Sequence, residues 1–298
     1  MIRKKLNRCT NYEILDLFQG KELANTTEFE LEFNKDIFNT LGIKTLLDLA
    51  QIFFLKIENI YNENESVIIY MRRLDAKNSF HNQQDSSEKY GVKSEFFNID
   101  KTKEFSFLYY YLEALKFVDI YNKQNILNIG VNKGDEFSAI RELLRKDDFC
   151  KKNFLGIDYS KSAIGYAKKH FSDDKNVEFI CADINKLDNI KLSRYDLLIS
   201  IGTLQSSNIN FNAKFMKLYQ NHLQKDGAVV LGFPNCRWID GEMVYGAKAP
   251  NYSFNEMGLV LKDIHFCKKY LQQKGYRVVI TGKDYLFLSA RKIKADAS

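Results

Sequence analysis

Nowhere does the sequence hold an apolar run near the roughly 18–20 residues that span a bilayer. Its basic start, MIRKKLNRCTNYE, is not followed by the apolar stretch of a secretory signal. Both absences point to a soluble, cytoplasmic protein with no membrane partner. Cysteine is sparse and badly placed for pairing. Cys9, Cys150, Cys181, Cys236 and Cys267 are five in number, and no two stand as C-x-x-C. That argues against a disulfide scaffold and a zinc ribbon. The four histidines, His81, His170, His222 and His265, are as scattered, so no metal site is expected. Proline occurs twice, at Pro234 and Pro250, and tryptophan once, at Trp238; all three fall in one short stretch.

What is present suffices for an ordinary core: 298 residues, 45% hydrophobic and 28% charged, with 23 Phe and 17 Tyr. The net charge of +6 is mildly basic. It permits RNA as a partner without demanding it, and no DNA partner is expected.

From about Asn125 onward, apolar runs alternate with amphipathic stretches. NILNIG, NFLGIDYS, VEFICAD, YDLLISIG and AVVLGF read as buried strands. DEFSAIRELLRK, SAIGYAKKHF with Ser160 as N-cap, and FNAKFMKLYQNHL read as the helices between them; QKDG reads as a stop and turn. Strands separated by such helices predict βαβ units and a mainly parallel sheet. Ser253 and Glu256 form a capping box that opens a long helix, closed by Gly275. YRVVITG and DYLFLSARK then predict an antiparallel hairpin.

The first hundred residues differ. TEFELEF alternates like a half-buried strand, DIFNTLGIKTLLDLAQIFF reads as a helix interrupted near Gly42, and SVIIYM as another strand. Residues 75–102 are polar and weakly patterned, as in a loop or lid. KEFSFLYYYLEALKFVDIY is a helix leading into the sheet. The predicted division is an N-terminal accessory or lid region, 1–102, and a cofactor-binding domain, 103–298.

The stretch ILNIGVNKGDEF is the chemically pointed one. Gly130 and Gly134 permit positive φ and close backbone approach, and Asn132 is the next most tolerant residue for left-handed geometry. A dinucleotide fingerprint would need glycines at 130, 132 and 135. Two of these are Asn132 and Asp135, and Asp135 and Glu136 put negative charge where a pyrophosphate would sit. A ligand without phosphates fits better. Asp158 ends GID and Asp183 ends CAD, both at carboxyl ends of predicted parallel strands, where open α/β sheets bind ligands. A carboxylate at 158 suits a ribose diol; one at 183, with Ile184 beside it, suits an adenine.

In these residues the chain resembles the class I S-adenosylmethionine-dependent methyltransferases, over roughly Lys103 to Lys292. ILNIGVNKG, GIDYS, CADI, DLLISIGTLQ and the closing helix and hairpin carry the resemblance. It implies a Rossmann-like α/β fold, with a seven-stranded, mostly parallel sheet and a C-terminal antiparallel hairpin. It implies S-adenosylmethionine as cofactor, held by Asn128, Gly130, Asn132, Gly134, Asp158, Tyr159, Asp183, Ile184 and Ser200, with Ser200 facing the methionine part. The family usually has an acid at the position of Asn128 and a glycine at that of Asn132.

The acceptor is less legible. SIGTLQSS lacks the Asn-Pro-Pro-Tyr type of signature that accompanies methylation of planar amino groups, and holds no cysteine nucleophile. Residues 234–252 form a long insertion beside the expected site, and such loops are often functional. Arg237, Trp238 and Tyr245 are its candidate substrate-binding residues. Asp240 and Glu242 are candidate bases, though no catalytic residue is assigned. The expectation is methyl transfer to an oxygen or nitrogen of a small-molecule metabolite. The alternatives are an RNA methyltransferase, using the basic N-terminus on RNA, and a non-catalytic cofactor-binding protein.

Overall fold

The computed structural model describes residues 1–75, 77–78, 90–247 and 256–293. Its chain forms two compact units: Met1–Asn82 with Trp238–Tyr245, and Gln83–Arg237 with Gly246–Ser298. This corrects a division at residue 102. The first unit ends earlier, and it takes back a piece of chain from far along the sequence.

In the first unit, β1 (Ile2–Lys5) is followed by the helices α1 (Asn11–Gln19) and α2 (Lys21–Ala24). Then come β2 (Glu28–Asn34), α3 (Lys35–Ile52), β3 (Leu55–Glu63) and β4 (Ser66–Arg73). The strands lie in the order β1-β2-β4-β3, with β1 parallel to β2 and the other pairs antiparallel. Gly42, at φ +73°, interrupts α3 as its sequence suggests. Phe29, Leu31, Phe33, Ile69 and Met71 of the sheet pack with Leu46 and Leu49 of α3 in one apolar cluster. The TEFELEF alternation is only half the story. Glu30 and Glu32 are also buried, because cations and hydroxyls from other strands of the sheet meet them: Arg3 and Tyr61 for Glu30, Lys5 and Ser66 for Glu32.

The second unit opens with α4 (Glu95–Asn98) and α5 (Phe105–Phe117). Its parallel core is β5 (Asn125–Ile129), β6 (Asn153–Asp158), β7 (Val177–Cys181), β8 (Tyr195–Ile201) and β9 (Leu223–Pro234). These alternate with α6 (Asp135–Leu143), α7 (Lys146–Cys150), α8 (Lys161–His170) and α9 (Phe211–His222). The chain then makes the short strands β10 (Cys236–Ile239) and β11 (Glu242–Tyr245), and closes with α10 (Gly258–Gln273), β12 (Tyr276–Gly282) and β13 (Tyr285–Lys292). The seven-stranded sheet runs β12-β13-β9-β8-β5-β6-β7. β13 is antiparallel to both neighbours, and the other six strands run in one direction.

The inner strands of this sheet, β5, β6, β8, β9 and β13, are buried on both faces over most of their length, which explains their near-continuous apolar runs. Leu127, Ile129, Leu198 and Leu231 pack with Phe215 of α9 and with Ile264, Cys267 and Leu271 of α10. On the other side Phe107 stands 5.4 Å from Phe287 and Phe137 5.1 Å from Phe154, centroid to centroid. Burying such side chains contributes about 1.5–3 kcal/mol each.

Two local expectations change. QKDG is not a turn before the fifth strand, since β9 already starts at Leu223. Its pairing jumps from Leu223 opposite Tyr195 to Ala228 opposite Leu197, so Gln224–Gly227 form an excursion within the strand. The proposed capping residue Ser253 lies outside the described residues, and α10 is described from Gly258, whose N–H donates to Glu256 Oε1 at 2.7 Å. Gly275 does follow the last turn, at φ +75°. No described helix is long and apolar enough to cross a membrane.

Candidate cofactor site

The strand order places a crevice at the carboxyl ends of β5 and β8, where connections leave the sheet in opposite directions. The β5–α6 loop turns there through three left-handed residues: Gly130 at φ +80°, Asn132 at +46° and Gly134 at +94°. Asparagine therefore performs the backbone role expected of it. Gly130 is fixed by space as well as by φ, since a Cβ there would lie 1.7 Å from Thr203 Oγ1. A Cβ on Gly134 would meet the Phe171 ring at 2.7 Å.

Asp158 ends β6 and knits the loops together. Its Oδ2 accepts the Asn132 N–H at 2.9 Å, its Oδ1 accepts the Ser160 N–H at 2.9 Å, and the Tyr159 N–H adds a third. Burial pushes its carboxyl above the usual range, and these backbone donors oppose the shift. A carboxylate has about four acceptor positions. Three are occupied, which leaves room for one hydroxyl rather than a symmetric pair of bonds to a diol. The Tyr159 ring is 55% exposed.

At the end of β7, Asp183 accepts the Asn185 N–H at 2.8 Å and caps a short 3-10 turn, Ile184–Asn189. Ile184 is partly buried against the main apolar cluster, and its carbonyl accepts Lys214 Nζ at 2.8 Å. Ser200 does not face open space. It is buried, and its hydroxyl donates to the Ile129 carbonyl at 3.0 Å, stapling β8 to β5. That corrects its expected role beside the methionine part. The residues after it, Gly202 and Thr203, come nearer the loop.

Asn128 is fully buried on β5, and among the described residues its Oδ1 has no hydrogen-bond partner. Its Nδ2 donates to Glu136 Oε2 at 3.4 Å, and Glu136 Oε1 pairs with Lys101 Nζ at 2.9 Å. The carboxylate missing at position 128 is thus supplied from the first turn of α6. Burial acts to lower the Lys101 pKa, but the charges of Glu136, Tyr285 and Asp135 and the hydrogen bond to Glu136 together outweigh it, and the net shift is upward. Beside them Asp135 is pushed up to about 6, by burial first and by Glu136 second, with Lys133 and Lys101 opposing.

Residues 90–103 are clasped to this loop. Asn132 Nδ2 donates to the Tyr90 carbonyl at 2.8 Å, and Lys133 Nζ to those of Phe97 and Ile99 at 2.9 Å each. The Val92 N–H donates to Ser162 Oγ at 2.9 Å, and Phe97 meets Tyr166 edge to face at 5.0 Å. Lys101, Lys133 and Glu136 escape a reading of the sequence, because a lysine in a polar stretch and an acid in a first helical turn both look solvated.

The family model described as a methyltransferase domain matches residues 120–279, just over half of the chain and most of this sheet. The chain belongs to the methyltransferase-domain family. It is an S-adenosylmethionine-dependent methyltransferase with a Rossmann-like fold. No curated protein matches this methyltransferase in sequence. Among solved structures it is similar to an S-adenosylmethionine-dependent methyltransferase from Aquifex aeolicus, at 17% identity and a TM-score of 0.45, over 70% of this chain and 98% of that one. It is also similar to the magnesium protoporphyrin IX methyltransferase of Synechocystis, at 13% identity and 0.43, over 74% and 90%. A third is the precorrin-6y C5,15-methyltransferase of Geobacter metallireducens, at 12% and 0.42, over 61% and 87%.

The residues present fit the cofactor. The left-handed loop sits at the switch point of the sheet, Asp158 retains an acceptor position at the end of β6, and the buried carbonyl oxygen of Asn128 has no donor among the described residues. Bound there, S-adenosylmethionine supplies a methyl group activated by a sulfonium. The chain's own part is to position it and to exclude water.

The insertion at 234–252, expected to carry substrate recognition, is in part a regular hairpin. Lys248–Asn255 lie outside the described residues. The rest forms the hairpin β10–β11, turning at Asp240 and Gly241 with φ of +51° and +78°. Residues 238–245 count with the first unit. Ile239 and Val244 cluster there with Leu74 and Phe54. Asp240 accepts from Arg72, which holds its carboxyl below the usual range, and Glu242 pairs with Lys56 at 2.9 Å. Neither is poised as a base. Trp238 is 7% exposed, packed rather than presented, which corrects its assignment as an acceptor platform. Tyr245 is more open, at 38% exposed, and Arg237 is half-buried in β10.

Proposed function

We propose that this methyltransferase acts on an oxygen or nitrogen atom of a small-molecule metabolite. The observation that carries the reading is the clasp. Residues 90–103 are held to the cofactor loop by the side chains of Asn132, Lys133 and Glu136, and to the start of α8 by Ser162. We read that segment as a cover over the cofactor. A covered site suits an acceptor small enough to be enclosed, whereas a polymer needs an open groove.

The RNA alternative rested on the basic start of the chain. In the first unit Arg3 pairs with Glu30 and Glu63, Lys4 with Glu22 and Lys5 with Glu32. Charges spent on carboxylates are poorly placed to displace counterions from phosphates. Arg237 is our proposed contact for an anionic group on the acceptor. With Asp240 and Glu242 both engaged, the reading favours an acceptor that needs little help in losing its proton, such as a phenol or carboxylic acid.

The experiment is methyl transfer from labelled S-adenosylmethionine into separate pools of metabolites and of RNA. Label is expected in the small-molecule fraction. Label in RNA alone overturns the proposal.

A further inference from the structure

Asn235 directly follows β9, and three of its four polar groups are answered. Its N–H donates to the Asp284 carbonyl at 2.8 Å, and its own carbonyl accepts the Gly246 N–H at 2.7 Å. Its Nδ2 donates to the Lys283 carbonyl at 3.3 Å, which fixes which end of the amide is which. Asp284, buried like Asn235, is held in turn by the Ser106 hydroxyl at 2.7 Å. The fourth group, Asn235 Oδ1, is sealed from solvent and accepts nothing among the described residues, and the residue is 3% exposed. Buried polar groups are almost always paired. A carbonyl that is fixed, dry and unanswered marks a place for a donor from outside the chain.

The strand order β7-β6-β5-β8-β9 says which molecule brings that donor. Asp183, Asp158 and the Gly130 loop occupy the carboxyl ends of β7, β6 and β5, so the cofactor takes up that part of the edge. Thr203, after β8, closes on the loop: a Cβ on Gly130 would lie 1.7 Å from its Oγ1. Gly202 beside it donates its N–H to the Gly232 carbonyl at 2.9 Å, and a Cβ there would stand 3.3 Å from the Pro234 ring. Asn235 is the next residue along this edge, on the far side of Thr203 from the cofactor loop. Gln205, also on the turn after β8, carries a second buried carbonyl oxygen with no partner among the described residues.

We infer that Asn235 is a specificity residue, whose Oδ1 accepts a hydrogen bond from an N–H or O–H of the acceptor other than the group that is methylated. This rests on the small-molecule reading of the function and narrows it. An amide oxygen is too weak a base to remove a proton, so the held group keeps its hydrogen and survives in the product. The acceptor is then bifunctional. One hydroxyl or carboxyl that ionises readily takes the methyl, and a separate amine, amide or hydroxyl is gripped at Asn235. A site built around such a bond rejects the analogue that lacks the donor, because its own oxygen is left unpaired.

The test gives the full chain labelled S-adenosylmethionine and a metabolite extract, and weighs each labelled product in H2O and in D2O. Every product is expected to retain at least one exchangeable hydrogen. With the acceptor so identified, Asn235→Leu should raise its KM at least about tenfold and leave kcat within about threefold. Affinity for S-adenosylhomocysteine should stay within about twofold, since Asn235 lies outside the cofactor's part of the edge. Should Asn235→Leu fail to fold, the wild-type protein is assayed on the acceptor with its held N–H or O–H replaced by C–H, which should lower kcat/KM at least about a hundredfold. Products without an exchangeable hydrogen, an unchanged KM, or an analogue as good as the acceptor would overturn the assignment. So would a variant that loses S-adenosylhomocysteine and melting temperature together, which would make Asn235 structural only. No label in any small molecule would instead remove the reading beneath it.

Discussion

Glu30 and Asp158 are both buried or half-buried strand carboxylates, one in each unit, and their surroundings differ in kind. Glu30 receives the Tyr61 hydroxyl at 2.6 Å and Arg3 Nε at 2.8 Å. The Tyr61 bond foremost, with Arg3 added, holds its carboxyl below the usual range against burial. Its charge is answered from within the sheet. Among the described residues Asp158 receives backbone N–H groups alone, and burial holds its carboxyl above the usual range. Dipoles without a counter-cation leave a carboxylate partly unanswered, and such perturbed acids mark binding sites more often than structural ones. The same contrast separates Asp240, matched by Arg72, from Asp135, crowded by Glu136. The first unit uses its polar groups on itself; the second leaves some in reserve.

The comparison breaks most visibly at Trp238. If the first unit uses this ring for its own packing, Trp238→Ala should cost about 3–5 kcal/mol of stability, read as a fall in urea midpoint. Cofactor affinity of the protein that remains folded should stay within about twofold. A loss below about 1 kcal/mol would mean that the ring is presented to a ligand after all. Asp135 gives the next largest effect, in the opposite direction. Its folded pKa of about 6 lies above the unfolded value near 3.8. Ionising it therefore costs stability progressively from about pH 4 to pH 6, and by a constant amount above. Asp135→Asn should stabilise the protein by about 2–3 kcal/mol at pH 7.5, at ~1.4 kcal/mol per pH unit, and by almost nothing at pH 4. Thermal melts at the two pH values check it, and a variant less stable at pH 7.5 would refute it.

Asp158→Ala sharpens the comparison from the binding side. Losing one charge-assisted hydrogen bond to the ribose, worth about 1.5–3 kcal/mol, should weaken S-adenosylhomocysteine at least about tenfold. Unchanged calorimetry would place Asp158 with Glu30 as a structural acid. The smallest effect is at Asn132. Asn132→Gly restores the family's glycine and relieves a left-handed asparagine, yet removes the bond to Tyr90. A net loss of about 1 kcal/mol should speed amide exchange about fivefold across residues 90–97, with the rest of the protein unaffected. Exchange that slows would mean that the clasp does not depend on this side chain.

Much of the second unit could be read from the sequence because its signals are local. Buried parallel strands are continuous apolar runs, helices between them keep their period, and Gly130, Gly134 and Gly275 stand where left-handed φ is needed. What escaped depends on distant partners. β1 is IRKK, a strand only because Glu22, Glu30, Glu32 and Glu63 answer its cations. In β3 a register shift between Ile57 and Asn59 breaks the alternation that would have disclosed it. The hairpin β10–β11 did carry a local signal, Asp240–Gly241 between apolar runs. Its proximity to the predicted site made the stretch look like a recognition loop. At the cofactor site the glycines and Asp158 were legible. Glu136, Lys133 and Lys101 were not, since burial of a charge is decided by what folds over it.

The hairpin also sets an order of events during synthesis. Asn235 and Gly246 are bonded across its base, between the Gly246 N–H and the Asn235 carbonyl at 2.7 Å, so the excursion leaves and re-enters the second unit at one point. The partners of its charges and apolar residues, Phe54, Lys56, Arg72 and Leu74, emerge from the ribosome some 160 residues earlier. At about 5–20 residues per second the first unit waits on the order of 10–30 s for its last piece. During that interval Leu74 and Phe54 lack their cover, and Arg72 lacks one of its two carboxylates. The N-terminal region is thus the first to be made yet is completed only once residue 245 has emerged, and a nascent chain halted before residue 238 would expose a surface for chaperones to hold.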